Sequence, residues 1–130
     1  MIDLHSHILP CADDGSADVE ESIELLRALA EQGVHTVYAT PHFDASSDTP
    51  DRFLARRSKA YEQLMAATQG LELPRVLLGA EVAYFSGIAS SRVVRDMRMQ
   101  QSKLLLVEMP MGVWTDNSVK ELSRLACSSE

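Results

Sequence analysis

A chain of 130 residues suffices for one domain and leaves no room for two. With 45% hydrophobic and 24% charged residues, its composition excludes a disordered, collagen-like or membrane-embedded polypeptide. Twelve basic side chains against nineteen acidic ones give a net charge of −7, which argues against a general nucleic-acid binder, since neutralising phosphates requires a basic footprint. A phosphorylated small molecule or peptide stays compatible with that charge, because bound cations reverse the local sign.

The N-terminal Met1-Ile2-Asp3-Leu4-His5-Ser6-His7 has neither the basic start nor the apolar stretch of a signal peptide. No apolar run approaches the roughly 18 residues of a membrane span. Cys11 and Cys127 match no zinc spacing and read as two free thiols in a reducing compartment, so a cytoplasmic location is expected.

Taken in order, Met1 to His5 predicts a first strand and Asp13-Asp14-Gly15-Ser16 a loop. Asp18 and Glu21 have the spacing of a capping box for a helix with Val19, Ile23, Leu26 and Ala30 on one face, ended by Gly33. Val34 to Thr40 is β-branched and aromatic, a second strand stopped by Pro41. Thr49-Pro50 opens a helix to about Gln69, with Phe53, Ala60 and Leu64 along one stripe. Arg75 to Ala80 is a third strand, Ser90 to Arg98 a short helix, and Lys103 to Glu108 a fourth strand. Asp116 or Asn117 then caps a helix to about Ala126. Four βα units in succession predict a parallel sheet with right-handed crossovers. The apolar runs Val76-Leu77-Leu78 and Leu104-Leu105-Leu106-Val107 suit strands covered on both faces.

The chemistry-bearing side chains fall at the predicted carboxyl ends of those strands. His5-Ser6-His7 ends the first, His42 follows the second, Glu81 the third, and Glu108 closes the fourth. Active sites of parallel α/β proteins gather on that rim. His5 and His7 are two residues apart, so both rings leave an extended strand on the same side and can meet one cation. Asp3 shares their alternation and could orient a ligand, or simply cap local backbone. Asp13 and Asp14 could be plain turn residues or ligands, and spacing does not choose between them. His35, early in the second strand, and Trp114, in a loop, read as packing residues. Arg56 and Arg57 read as a solvated helix face.

The opening stretch Met1 to Gly15, with Glu20-Glu21-Ser22, Gln32-Gly33-Val34 and Ala39-Thr40-Pro41-His42, resembles the manganese-dependent bacterial protein-tyrosine phosphatases of the PHP superfamily, the capsular-polysaccharide type. Gly79-Ala80-Glu81 and Leu106-Val107-Glu108 continue the likeness, to about Lys120. The resemblance implies a distorted β/α barrel with a trinuclear metal site at its carboxyl rim. By that resemblance His5 and His7 hold a first metal, Glu81 bridges to a second, Glu108 ligates the second, and Asp14 and His42 hold a third. It implies hydrolysis of phosphotyrosine on a protein such as a bacterial tyrosine kinase, linked to exopolysaccharide regulation, without a cysteine nucleophile. Cys11 indeed lacks the Cys-x5-Arg phosphate loop.

The family's later Ala-His-Pro-Glu-Arg-Tyr-like strand and its terminal Asp-x-His do not occur in these 130 residues. The sequence therefore looks like one PHP-like domain, residues 1–130, forming the first half of such a barrel. Three carboxylates and three imidazoles suit Mn²⁺, Fe or Zn²⁺ without selecting among them. A half-barrel leaves an open strand edge, so a homo-oligomer is expected. Two other readings stand beside the tyrosine phosphatase. One is a non-catalytic metal-binding remnant or interaction module. The other is a related phosphoesterase, of the histidinol-phosphate type or a polymerase-associated exonuclease; the acidity weakens the nuclease and the opening motif weakens both.

Overall fold

The computed structural model describes residues 1–128. Its six short strands are all parallel and form two three-stranded sheets. Strands β1 (Ile2–Ser6), β2 (Thr36–Ala39) and β4 (Arg75–Leu78) pair in the order β1-β2-β4. Strands β3 (His42–Phe43), β5 (Glu81–Ala83) and β6 (Leu106–Glu108) pair in the order β3-β5-β6. The second and third strands expected from the sequence, over 34–40 and 75–80, are thus shorter than expected, and each is followed past a corner by a further strand that was not anticipated, β3 and β5. Proline at 41 has no N–H to give a ladder, which separates β2 from β3. Gly79 stands at the corner between β4 and β5, where a Cβ would lie 3.3 Å from both Met99 and Thr40 side-chain carbons. Pairing nonetheless runs on through the corner: the Gly79 amide donates to the Ala39 carbonyl (2.9 Å) and the Glu81 amide to the Pro41 carbonyl (3.0 Å). Register sets His42 beside Glu81, and Ala83 beside Glu108.

Helix α1 (Val19–Glu31) starts at Asp18, whose carboxylate accepts the Glu21 amide, while the Glu21 carboxylate accepts the Ala17 amide. Its buried stripe is Ser22 and Leu26, flanked by Ile23 and Leu29; Ala30, expected on that face, is exposed. Helix α2 (Pro50–Thr68) has the anticipated Thr49 cap and buries Phe53, Ala60 and Leu64. It spans both cores. Leu64 packs with Leu26, Val37 and Val76 beneath the first sheet, and Phe53 packs with Phe43, Val82 and Met97 against the second.

The last third departs furthest from expectation. The helix predicted over Ser90 to Arg98 is a 3₁₀ turn (Ile88–Ser90) and a single turn of α3 (Val94–Met97). Ser91 lies between them in an extended conformation, its hydroxyl accepting the Val93 amide, the local competition that makes serine a poor helix-interior residue. The fourth strand shrinks to Leu106–Glu108, and Leu104 is 56% exposed rather than covered on both faces. With only β5 beside it, β6 is an edge. Thr115, one residue earlier than expected, caps α4 (Asp116–Cys127). Cys11 and Cys127 are free and exposed, and no helix among the described residues is long and apolar enough to cross a membrane.

Candidate metal centre

The six predicted residues come together on one rim. Strand β1 carries an extra residue between its paired positions Asp3 and Ser6, a local irregularity of the kind that re-aims side chains near functional sites. The His5 amide that faces this bulge is taken by the Asp3 carboxylate (3.1 Å), so Asp3 caps backbone and does not orient the ring. His5 Nε2 and His7 Nε2 are 3.1 Å apart, and each is 3.1 Å from Glu81 Oε2. Ligand bonds of about 2.1 Å at right angles have donor–donor edges of about 3 Å, so this equilateral triangle has the dimensions of one face of a coordination shell.

On its other side Glu81 meets His42, whose Nδ1 is 3.2 Å from the same Oε2 and 3.7 Å from Glu108 Oε2. The opposite nitrogen of that ring, Nε2, is 3.3 Å from Asp14 Oδ1. His7 and His42 rings lie 4.5 Å apart, centre to centre. Three overlapping sets therefore share residues: His5, His7 and Glu81; His42, Glu81 and Glu108; and His7, Asp13, Asp14 and His42.

Glu81 decides what this rim can do. Its side chain is 9% exposed and three imidazole nitrogens stand within 3.2 Å of Oε2, yet that oxygen accepts no hydrogen bond. A buried carboxylate oxygen without a donor is costly. A cation among these nitrogens and this oxygen would remove the cost, and an imidazole and carboxylate donor set suits a divalent metal. The residues fit the group.

With the geometry in view, comparison with known proteins is decisive. The profile of a family described as capsular polysaccharide synthesis, CpsB/CapC, matches residues 1–126. The chain belongs to the CpsB/CapC family. Tyrosine-protein phosphatase YwqE of Bacillus subtilis (strain 168) is 34% identical over 112 residues, covering 85% of this chain and 43% of that protein. Tyrosine-protein phosphatase CpsB of Streptococcus agalactiae is 29% identical over 119 residues, 89% of this chain and 48% of that one. A solved structure from a study of YwqE and of Streptococcus pneumoniae CpsB as unique metal-dependent tyrosine phosphatases superimposes with a TM-score of 0.75, at 27% identity, over 97% of this chain and 51% of the other. The chain thus spans about half the length of these CpsB/CapC relatives.

Three expectations need correction. Arg56 and Arg57 are not a solvated face. Arg56 Nε donates to the Ala12 carbonyl (2.9 Å) and its Nη2 to Asp48 (2.8 Å). Arg57 Nη1 donates to the Gly79 carbonyl (2.7 Å) at the strand corner before Glu81, and Nη2 to the Asp96 carbonyl. Burial pushes the Arg57 guanidinium below its ordinary value, opposed by the charge of Asp96. Adjacent residues on α2 thereby hold two loops of this rim. His35 is exposed, its ring beside the Thr36 hydroxyl, because it precedes the covered part of the strand. Trp114 is 51% exposed in the loop after β6 and anchors no core.

Spacing alone left Asp13 and Asp14 undecided while the resemblance favoured Asp14, and the structure gives the two different surroundings. The Asp14 side chain is 83% exposed and faces His42. Asp13 points inward to His7 Nδ1 (2.7 Å). Burial would raise the Asp13 pKa, but the His7 hydrogen bond, the amides of Gly15 and His42 and the His7 charge together hold it below the ordinary carboxylate value.

Proposed function

We propose that this chain is a metal-dependent phosphoesterase domain that acts on phosphotyrosine in proteins, with His5, His7, Asp14, His42, Glu81 and Glu108 as its metal ligands. The observation that carries the reading is the buried, unpartnered Glu81 Oε2 ringed by three imidazole nitrogens. Membership of a capsular-polysaccharide family whose relatives are tyrosine-protein phosphatases supports the substrate class. A bacterial tyrosine kinase is the expected phosphoprotein, the cytoplasm the expected location, and Mn²⁺ the expected metal.

The chemistry that bound divalent cations supply to phosphate esters is activation of water near neutral pH and neutralisation of charge on the transferring group. The protein's part is arrangement. Glu81, buried and shared by two candidate ligand sets, would contribute its carboxylate to both. The His42 ring divides its two nitrogens between Asp14 and the Glu81–Glu108 pair. Asp14 and Glu108, more exposed than Glu81, mark the side from which a bulky phosphoprotein can approach. Cys11 takes no part, its thiol donating to the Ala17 carbonyl.

We read the strands as one side of a distorted β/α barrel. Ile2 and Leu4 on β1, and Leu104, Met111, Val113 and Trp114 around β6, leave apolar side chains exposed at both sheet edges. This favours a homo-oligomer in which a second copy covers those edges, and light scattering showing only monomer would oppose it. A second reading is a metal-binding module that holds cations without turnover. Hydrolysis of p-nitrophenyl phosphate separates the two. An enzyme shows Mn²⁺-dependent turnover that Glu81→Ala abolishes. A module binds Mn²⁺ with turnover equal in the two proteins. Absence of Mn²⁺ binding would remove both.

A further inference from the structure

Asp13 stands in one of the three overlapping sets but is not among the six proposed ligands, and it ties together more of the rim than its place in that set requires. Its Oδ2 lies 2.7 Å from His7 Nδ1 and also accepts the His42 backbone amide at 3.0 Å, while Oδ1 accepts the Gly15 amide at 3.0 Å. With its side chain only 7% exposed and both oxygens engaged by nitrogens of three segments, Asp13 has little left to offer a cation. The three bonds instead act on three ligand positions. With Asp13 accepting a hydrogen bond from His7 Nδ1–H, a neutral His7 ring would have Nε2 bare, and that is the nitrogen 3.1 Å from both His5 Nε2 and Glu81 Oε2. Holding the His42 amide sets where β3 begins and so where the His42 ring stands. Holding the Gly15 amide closes the turn that presents Asp14.

We propose that Asp13 is the positioning residue of this rim, selecting the Nδ1–H tautomer of His7 and locking the His7, Asp14 and His42 segments together so that adjacent cation positions form as a unit. The proposal rests on the metal reading above. The loop has supports independent of Asp13: the Ser16 amide donates to the His7 carbonyl, the Cys11 amide to the Ser16 carbonyl, and Arg56 to the Ala12 carbonyl. Removing the carboxylate should therefore leave the chain folded while freeing the His7 ring.

The test compares wild type with Asp13→Ala, Asp13→Asn, Asp14→Ala and Glu81→Ala. Long-range ¹H–¹⁵N spectra of the metal-free proteins at pH 8 read the His7 tautomer, and titration with Mn²⁺ alone reads affinity. Wild type should show His7 protonated at Nδ1. Asp13→Ala should move that proton to Nε2 and weaken Mn²⁺ binding roughly 10–100-fold, the range found when carboxylates behind metal-binding histidines are removed. Asp13→Asn, which keeps an acceptor oxygen, should retain the tautomer and recover most of the affinity. Asp14→Ala should lose affinity with the tautomer unchanged.

Finding His7 as Nε2–H in wild type overturns the proposal without any variant, which covers the case in which Asp13→Ala does not fold. Unchanged affinity in Asp13→Ala, with normal Mn²⁺ binding by wild type and loss in Glu81→Ala, overturns it while sparing the metal reading. No Mn²⁺ binding by wild type removes the metal reading and Asp13's role in it, even if the His7 tautomer still answers to Asp13.

Discussion

The rim is built to two standards. Around the first three strand ends, His5, His7 and His42 stand within 3.1–3.2 Å of one Glu81 oxygen, and the chain beneath them is held by side chains of α2. At the fourth, Glu108 is 51% exposed, 3.7 Å from His42, and followed by a loop whose Met111, Val113 and Trp114 face solvent. The difference is one of covering. β4 and β5 put Val76, Leu78 and Val82 into the two buried cores, whereas Leu106 and Val107 of β6 are only half buried. Placement of a polar side chain to within tenths of an ångström needs neighbours that cannot move, and close packing supplies them on one half of the rim alone.

The largest effect should come from breaking the tight half at its closest approach. A Cβ on Gly15 would lie 2.3 Å from the His7 carbonyl oxygen and 2.4 Å from His7 Cβ, so Gly15→Ala must push His7 and the Asp14 turn apart. It should abolish measurable Mn²⁺ binding and cost about 1–3 kcal/mol in urea unfolding, as forced overpacking does. Near-wild-type metal binding would show that the rim tolerates movement. Arg57→Leu strips the Gly79 and Asp96 carbonyls of their buried donor while keeping much of the packing against Phe53. A loss of about 1–3 kcal/mol is expected in the same measurement, the cost of leaving a buried carbonyl without its partner.

Glu108→Ala probes the loose half. Stability should change by no more than about 0.5 kcal/mol, as for an exposed position. The Mn²⁺ stoichiometry should fall, with the His5–His7–Glu81 set still occupied, and a titration in which all binding vanished would contradict the two-standard rim.

The smallest effect concerns the tie between the halves. Glu121 on α4 accepts the Tyr84 hydroxyl (2.5 Å) and the Gly87 amide (2.8 Å), fixing the segment after β5. The Glu121 hydrogen bond, with burial and the Glu121 charge, raises the Tyr84 pKa above its ordinary value near 10. A raised folded-state pKa adds stability that is complete below the unfolded value and is lost as pH climbs through the folded one. Wild type should thus lose more stability than Tyr84→Phe as the pH is taken above about 10. Parallel curves for the two proteins would sever this tie.

Much of the rim could be read from the sequence because its signal is local. Two histidines at strand spacing, and a histidine or carboxylate after each apolar run, lie in the order of the chain. So do the caps at Asp18 and Thr49 and the stripe of Phe53, Ala60 and Leu64. Legibility failed where partners are distant along the chain. Arg56 and Arg57 look alike on a helix, and only the fold assigns them to the Ala12 and Gly79 carbonyls, 44 and 22 residues away. Leu104 looks like core until β6 proves to be an edge.

Residue type and spacing were thus enough to establish the α/β class, the alternation of strands with helices α1, α2 and α4, and which side chains stand at the strand ends, since each depends on neighbours within a few residues. Tertiary structure was needed for the corners at Pro41 and Gly79, the division of labour between Asp13 and Asp14, and the meeting of three imidazoles on one buried oxygen. Those depend on distances between segments remote in sequence, and such distances are set by packing and by the sharing of hydrogen-bond donors.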